Sequence, residues 1–249
     1  MVGKPEWLDL TELLIEEIFP VAKNILEKMQ SSNFHISQIP LLSLLHLYDC
    51  ISVNISVNRE GKYSVAICLV RQCVEALTLI DVGLQENSFR EPIFEKWCAG
   101  KKSHGEIRRE LEESIWPKYG SGLWEEPWAE FFSNLAKAVQ PYAHYSDHLM
   151  GWQMAVLGHD GGTKLVVALG VDDPVKASRI TLLNSLVVWT LGRLLTENCR
   201  KKEVDRIKPL IDKIGVSLAA SNLLSKNQEW AEELLPHVIF KAGYNWQDG

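Results

Sequence analysis

The chain carries no CxxC pair, no GxGxxG, no GxSxG and no HExxH. These absences remove the spacings that hold a structural zinc or a redox dithiol, seat a dinucleotide phosphate on a helix N-terminus, build a nucleophile elbow, or pair two zinc-binding histidines on a helix. Gly100-Lys101-Lys102-Ser103 lacks the preceding glycine of a phosphate-binding loop and reads as a solvated turn. A basic excess is also missing: 26 Lys and Arg against 32 Asp and Glu leave a net charge of -6, so no long-range field draws the chain to nucleic acid or to an anionic membrane. Five cysteines, Cys50, Cys68, Cys73, Cys98 and Cys199, are odd in number and widely spaced. That pattern reads as reduced, buried side chains in a cytoplasmic protein. The opening MVGKPEWLDLTELL has no basic segment leading into an apolar stretch, so no signal peptide is expected, and Gly3 is out of register for myristoylation. No fixed-period repeat or low-complexity segment is present.

What is present is helical periodicity over most of the chain. Leu13, Leu14, Ile18, Val21, Ile25 and Met29 recur at three- and four-residue steps within a helix over 8–30, in which Pro20 should introduce a kink or a division. A second helix is expected from about Pro40 to Val57, and the short Asn-Arg-Glu-Gly-Lys loop turns the chain back into a third over 61–84. Gly100 should end a brief helix, and Ser103 with Glu106 forms a capping box for the charged helix that follows. A helical stretch over 125–152 should break near Gln140, because Pro141 follows it. The period then changes: runs at 153–158 and 164–169 flank a His-Asp-Gly-Gly turn, the signature of a hairpin. Asp173 and Pro174 open another helix, to about Cys199. These readings give a mainly α fold, an antiparallel multi-helix bundle with one small β-hairpin at about 153–170. Residues 1–200 form the bundle and 201–249 a C-terminal helical extension packed on it.

The stretch over 61–84 is apolar on nearly every side, as a helix surrounded by other helices is. It is long enough to be weighed as a membrane span, as is 173–199. Arg71, Gln72 and Glu75 interrupt the first and Arg179, Asn184 and Arg193 the second, so both read as core helices and no membrane is expected. Arg71, Glu75 and Thr78 share one stripe of the central helix. A buried charge there must meet polar groups from its neighbours, and His148 is the expected one. Arg71, Glu75 and His148 are therefore expected to meet as one polar cluster, read first as a structural network that fixes helix register. His144 and His148, four residues apart on an expected helix, are the candidate metal pair for zinc or another divalent ion, although a third ligand would have to come from elsewhere. Lys101, Lys102, His104, Arg108 and Arg109 make a small candidate anion patch, offset by Glu106, Glu110, Glu112 and Glu113. Of nine tryptophans, Trp97, Trp116, Trp124, Trp128 and Trp152 gather in the middle of the chain, where they either clamp loops or line a cleft near 117–128.

Trp97, Gly100 and Arg108, then Tyr142, Ser146 and His148, together with the Arg-x-x-x-Glu of Arg71 and Glu75, resemble uncharacterised bacterial helical families near the HEPN superfamily, over roughly residues 40–200. The resemblance implies an antiparallel helical core with an arginine and an acid on one helix and a Ser-x-His-like element on a later one. HEPN ribonucleases place a histidine shortly after an arginine, often at a dimer interface, and no arginine in this chain is followed by one at that spacing. The resemblance therefore favours a noncatalytic protein acting through a protein partner or self-association, in bacterial stress or phage defence. The alternative is a hydrolase or ribonuclease built on Arg71, Glu75 and His148 or on a metal at His144 and His148. Contact with nucleic acid is the less favoured partner class.

Overall fold

The computed structural model describes residues 6–29, 34–142, 144, 147–159, 162–167 and 173–221. Within them the fold is mainly α. The elements are α1 (Glu6–Glu27), α2 (Phe34–Arg59), α3 (Tyr63–Leu84), α4 (Asn87–Cys98), α5 (His104–Ser114), α6 (Trp128–Val139), α7 (Asp147–Gln153), α8 (Pro174–Asn198), α9 (Lys201–Val204) and α10 (Lys208–Ala219). Short 3-10 turns cover Trp116–Lys118 and Gln140–Tyr142. Between α7 and α8 the backbones of β1 (Met154–His159) and β2 (Gly162–Val167) run antiparallel, with Met154 opposite Val167 and His159 opposite Gly162. The hairpin tip at Asp160 and Gly161, Ser146, and the helices expected beyond residue 221 lie outside the described residues.

The centre of the bundle is α3. Ile67, Val70, Cys73, Val74, Leu77 and Ile80 are fully buried, as a helix apolar all round requires. Its partner α2 is joined by three residues, with Gly61 at φ 71, a left-handed conformation that a side chain would strain. So short a loop forces the two helices into a hairpin, and they stay in close contact to the far end. There, a Cβ on Gly83 would come 2.3 Å from Pro40 Cγ. α8 also lies along α3, touches α2, and in turn packs on α1 and α10. At the α8–α10 crossing, Gly192 meets Ile211 and Gly215 meets Trp189.

Several boundaries differ from the expectations. α1 runs unbroken through Pro20, whose exposed ring faces away from a core held on both sides by Ile18, Phe19 and Ala22. α2 begins at Phe34, six residues before Pro40, and the proline sits inside the helix against Gly83. In both cases burial of the flanking apolar residues offsets the lost backbone bond, about 3 kcal/mol in an isolated helix. The break near Pro141 is real: α6 ends at Val139 and gives way to the 3-10 turn. The capping box forms as expected, with Ser103 Oγ accepting from the Glu106 amide at 3.3 Å and the Ser103 amide donating to Glu106 Oε2 at 2.8 Å. All five cysteines are free thiols, but Cys98 is exposed, because the last residue of α4 points out of the bundle.

Candidate functional site

Arg71 and Glu75 stand one turn apart on α3, and Arg71 Nη2 lies 2.6 Å from Glu75 Oε1. The arginine is only 7% exposed, and its Nε and Nη1 have no partner in the structure. Facing the pair is the first turn and a half of α5, which brings His104 and Arg108, also one turn apart. The capping box at Ser103 fixes where that helix begins, and so aims both side chains at α3. Arg108 Nη1 and His104 Nδ1 are likewise buried and without a partner. Burial holds the His104 imidazolium below its ordinary pKa. Glu75 opposes that shift, while Arg108 and Arg71 add to it. Burial and the like charge of Arg71 lower the Arg108 pKa as well, with Glu75 working against them. Neutral His104, one carboxylate and two guanidinium groups leave this cluster with a net charge of about +1 at neutral pH, and with several unused N–H donors.

Beside the cluster opens a groove of about 330 Å³ bounded by α2, α3, α4 and α5. Its floor is Ile39, Leu42, Ala76, Leu79 and Trp97; its polar end is His46, Gln72, Glu75 and His104. The Trp97 ring meets His104 edge to face at 5.8 Å between centroids, closing the junction of α4 and α5. The volume is near the lower end of small-molecule pockets, about 300–1,000 Å³, and the apolar floor with a few convergent polar groups is their usual make-up.

The other candidate residues fall as follows. His148 is half-buried on α7, whereas His144 is exposed in a bend, three residues before that helix begins. His144 thus lies in a bend outside α7, so the two histidines do not share one described helix. Among the described residues, no group of three or more His, Cys, Asp or Glu is placed to hold a metal ion. The anion patch over 101–109 divides. Lys101 and Arg109 are exposed, Lys102 pairs with Glu110, and His104 and Arg108 turn inward to Arg71. Trp116 and Trp128 clamp the loop between them: both are buried, and Phe132 lies between 4.9 and 6.4 Å from the two rings. Arg193 lies over Trp128 and Trp189 at 5.9 and 5.6 Å.

A second polar network, on a different face of α3, was not apparent from spacing. Asp81 is completely buried and accepts hydrogen bonds from Trp116 Nε1 at 2.7 Å and from the Tyr119 hydroxyl at 2.6 Å. Gln85 Nε2 lies 3.1 Å from Asp81 Oδ1, and Asn198 Nδ2 of α8 donates to the Tyr119 hydroxyl at 2.6 Å. Burial raises the Asp81 carboxyl to about 6, against the opposing pull of Tyr119, Trp116 and Gln85. Burial, with the neighbouring Asp81 charge, pushes the Tyr119 hydroxyl far up. The network joins α3, the Trp116 turn and α8 and does not line the α2–α5 groove, so it fixes helix register. A lone acid inside Leu-Thr-Leu-Ile-Asp-Val-Gly-Leu is the signal that could have revealed it.

Comparison of the chain with family models, with curated proteins and with solved structures finds no match. The site must therefore be interpreted from its own chemistry.

Proposed function

We propose that the chain binds a small organic acid, its carboxylate drawn to the His104 end of the α2–α5 groove by Arg71 and Arg108, which stand behind that lining, and its apolar body laid along the groove. The observation that carries this reading is the excess of buried, unpartnered guanidinium donors around a single carboxylate. Leaving one cation uncompensated at a buried site costs several kcal/mol, and a monoanionic ligand removes that cost. Leu79, Leu42 and Trp97 give the rest of the ligand its apolar contact. Glu75 stays paired with Arg71 and orients it, while His104, neutral at pH 7, accepts or donates one hydrogen bond at the groove's polar end.

Thermal melting tests the class of ligand. Octanoate and 3-phenylpropionate should raise the Tm of the full chain, while octanamide and 3-phenylpropanol should not. Arg108→Met should remove at least nine-tenths of the shift, because a hydrogen bond to a charged group contributes about 1.5–3 kcal/mol. Equal shifts from acid and amide would end the proposal. A hydrolytic alternative, with Arg71 and Glu75 acting with His148 on an ester or phosphodiester, predicts that water cleaves p-nitrophenyl octanoate to octanoate and p-nitrophenol, or bis(p-nitrophenyl) phosphate to the monoester and p-nitrophenol; recovery of both compounds unchanged supports binding alone.

A second reading, association with another copy of the chain, is favoured by the outer face of α2. Leu42, Leu45, Tyr48 and Val53 are exposed there, although the opposite face of the same helix is core. Among the described residues α2 is also the one helix long and apolar enough to cross a membrane by length and composition. Its packing along α3 supports a core and interface role, and the five free thiols support a reducing, cytoplasmic setting. Leu45→Glu should convert a dimer to a monomer by light scattering without moving octanoate affinity.

A further inference from the structure

Nearer the C-terminal end of α2 than the organic-acid groove, α1, α2 and α8 bound a cavity of about 520 Å³. We propose that it is a site for a primary alkylammonium ion. The argument is one of hydrogen-bond direction. Asn54 Nδ2 donates to the Ala66 carbonyl at 2.6 Å, and because a carbonyl only accepts, that contact fixes which end of the Asn54 amide is nitrogen. Its oxygen then accepts from Asn184 Nδ2 at 2.8 Å, which fixes Asn184 in turn. The Asn184 oxygen is left pointing away as a pure acceptor, without a partner, on a residue only 4% exposed. Asn58 repeats the logic: its Nδ2 donates to the Ala177 carbonyl at 3.1 Å and to Thr181 Oγ1 at 3.2 Å, and its oxygen, on a residue 8% exposed, is unpartnered.

The hydroxyls of this wall are committed in the same sense. Thr11 donates to the Trp7 carbonyl at 2.6 Å, Thr181 to Ala177 at 2.8 Å and Ser185 to Thr181 at 3.0 Å. Each proton is turned into its own helix, so what these hydroxyls can still offer is lone pairs. Asn58 also lies in the last turn of α2, the negative end of a 26-residue helix. At the exposed rim stand Glu12 and Glu16, with Arg59 as the one side-chain cation that lines the cavity. Leu8, Ile15 and Ile55 supply apolar surface. A wall whose buried side-chain oxygens and committed hydroxyls accept, with Arg59 as its donor at the rim, under two carboxylates and beside aliphatic side chains, fits a ligand with several N–H donors, a positive charge and a hydrocarbon chain. A –NH₃⁺ group has three donors and no acceptor.

Titration calorimetry of the full chain at pH 7 with n-hexylammonium chloride tests this, with n-hexanol and tetramethylammonium chloride as controls. Hexylammonium should saturate at one equivalent. Hexanol, which lacks the charge, and tetramethylammonium, which lacks donors, should each bind at least tenfold more weakly. Asn184→Leu should abolish binding. If that variant does not fold by circular dichroism, the exposed double change Glu12→Gln and Glu16→Gln takes its place and should weaken binding three- to tenfold. Arg108→Met should leave amine binding unchanged. Hexanol binding as tightly as the amine, absence of saturation, or full affinity in the folded variant would overturn the assignment.

Discussion

Asp81 ionises inside the bundle only when the pH rises through about 6, because burial disfavours its charge more than Trp116, Tyr119 and Gln85 favour it. In the unfolded chain the same carboxyl titrates near 3.8. A raised acid pKa means that the native state holds the proton more tightly, so its contribution to stability is complete below about pH 4 and is lost as the pH passes through 6. A difference of about two units corresponds to about 3 kcal/mol. Urea unfolding between pH 4 and pH 7.5 should therefore show the wild type losing about that much relative to Asp81→Asn, which has no charge to bury; parallel curves would refute it. At this scale, legibility followed patterning. Arg71 and Glu75 stood out because two charges at helical spacing in an apolar run demand partners. Asp81, Asn54, Asn58 and Asn184 did not, since their partners are backbone carbonyls and side chains up to 130 positions away, which no local pattern contains. His104 and Arg108 were visible as charges, but not their inward direction.

Elements are held in register by a few close approaches. Gly83 allows α3 to lie on Pro40, and Gly83→Ala would place a carbon 2.3 Å from the ring. An overpacked core typically costs about 1–3 kcal/mol, so the variant should unfold at clearly lower urea, with α2 and α3 the first amides to lose exchange protection. The start of α5 should respond to Ser103→Ala, which removes one cap bond and costs about 1 kcal/mol. Because that cap also aims His104 and Arg108, the same variant should weaken octanoate binding several-fold without touching the groove. Helix existence was readable from period for the long helices, but not for the four-residue α9 at Lys201–Val204. Helix ends were readable where a cap or a left-handed glycine set them, as at Ser103 and Gly61. The start of α2 lies six residues before the expected Pro40, and Pro20 does not divide α1, because burial on either side of each ring carries the helix through a residue that breaks helices in isolation.

For the whole molecule, the arrangement that matters is that α3 is packed against α2 and α8 and that two grooves of opposite character open along different stretches of α2. One opens beside the buried donors of Arg71 and Arg108 and is read as taking an acid; the other is lined by residues with buried acceptors and is read as taking an amine. The sequence conveyed the enclosure, through a helix apolar all round. It did not convey the grooves, which depend on which side chains of α1, α4 and α5 meet across the bundle. Titration calorimetry of octanoate into the full chain at pH 7, repeated with Arg71→Met and Arg108→Met, tests the central assignment most directly. One equivalent should bind to the wild type, and each folded variant should lose at least tenfold in affinity. Octanoate that fails to saturate, or binds the variants as tightly as the wild type, would contradict it.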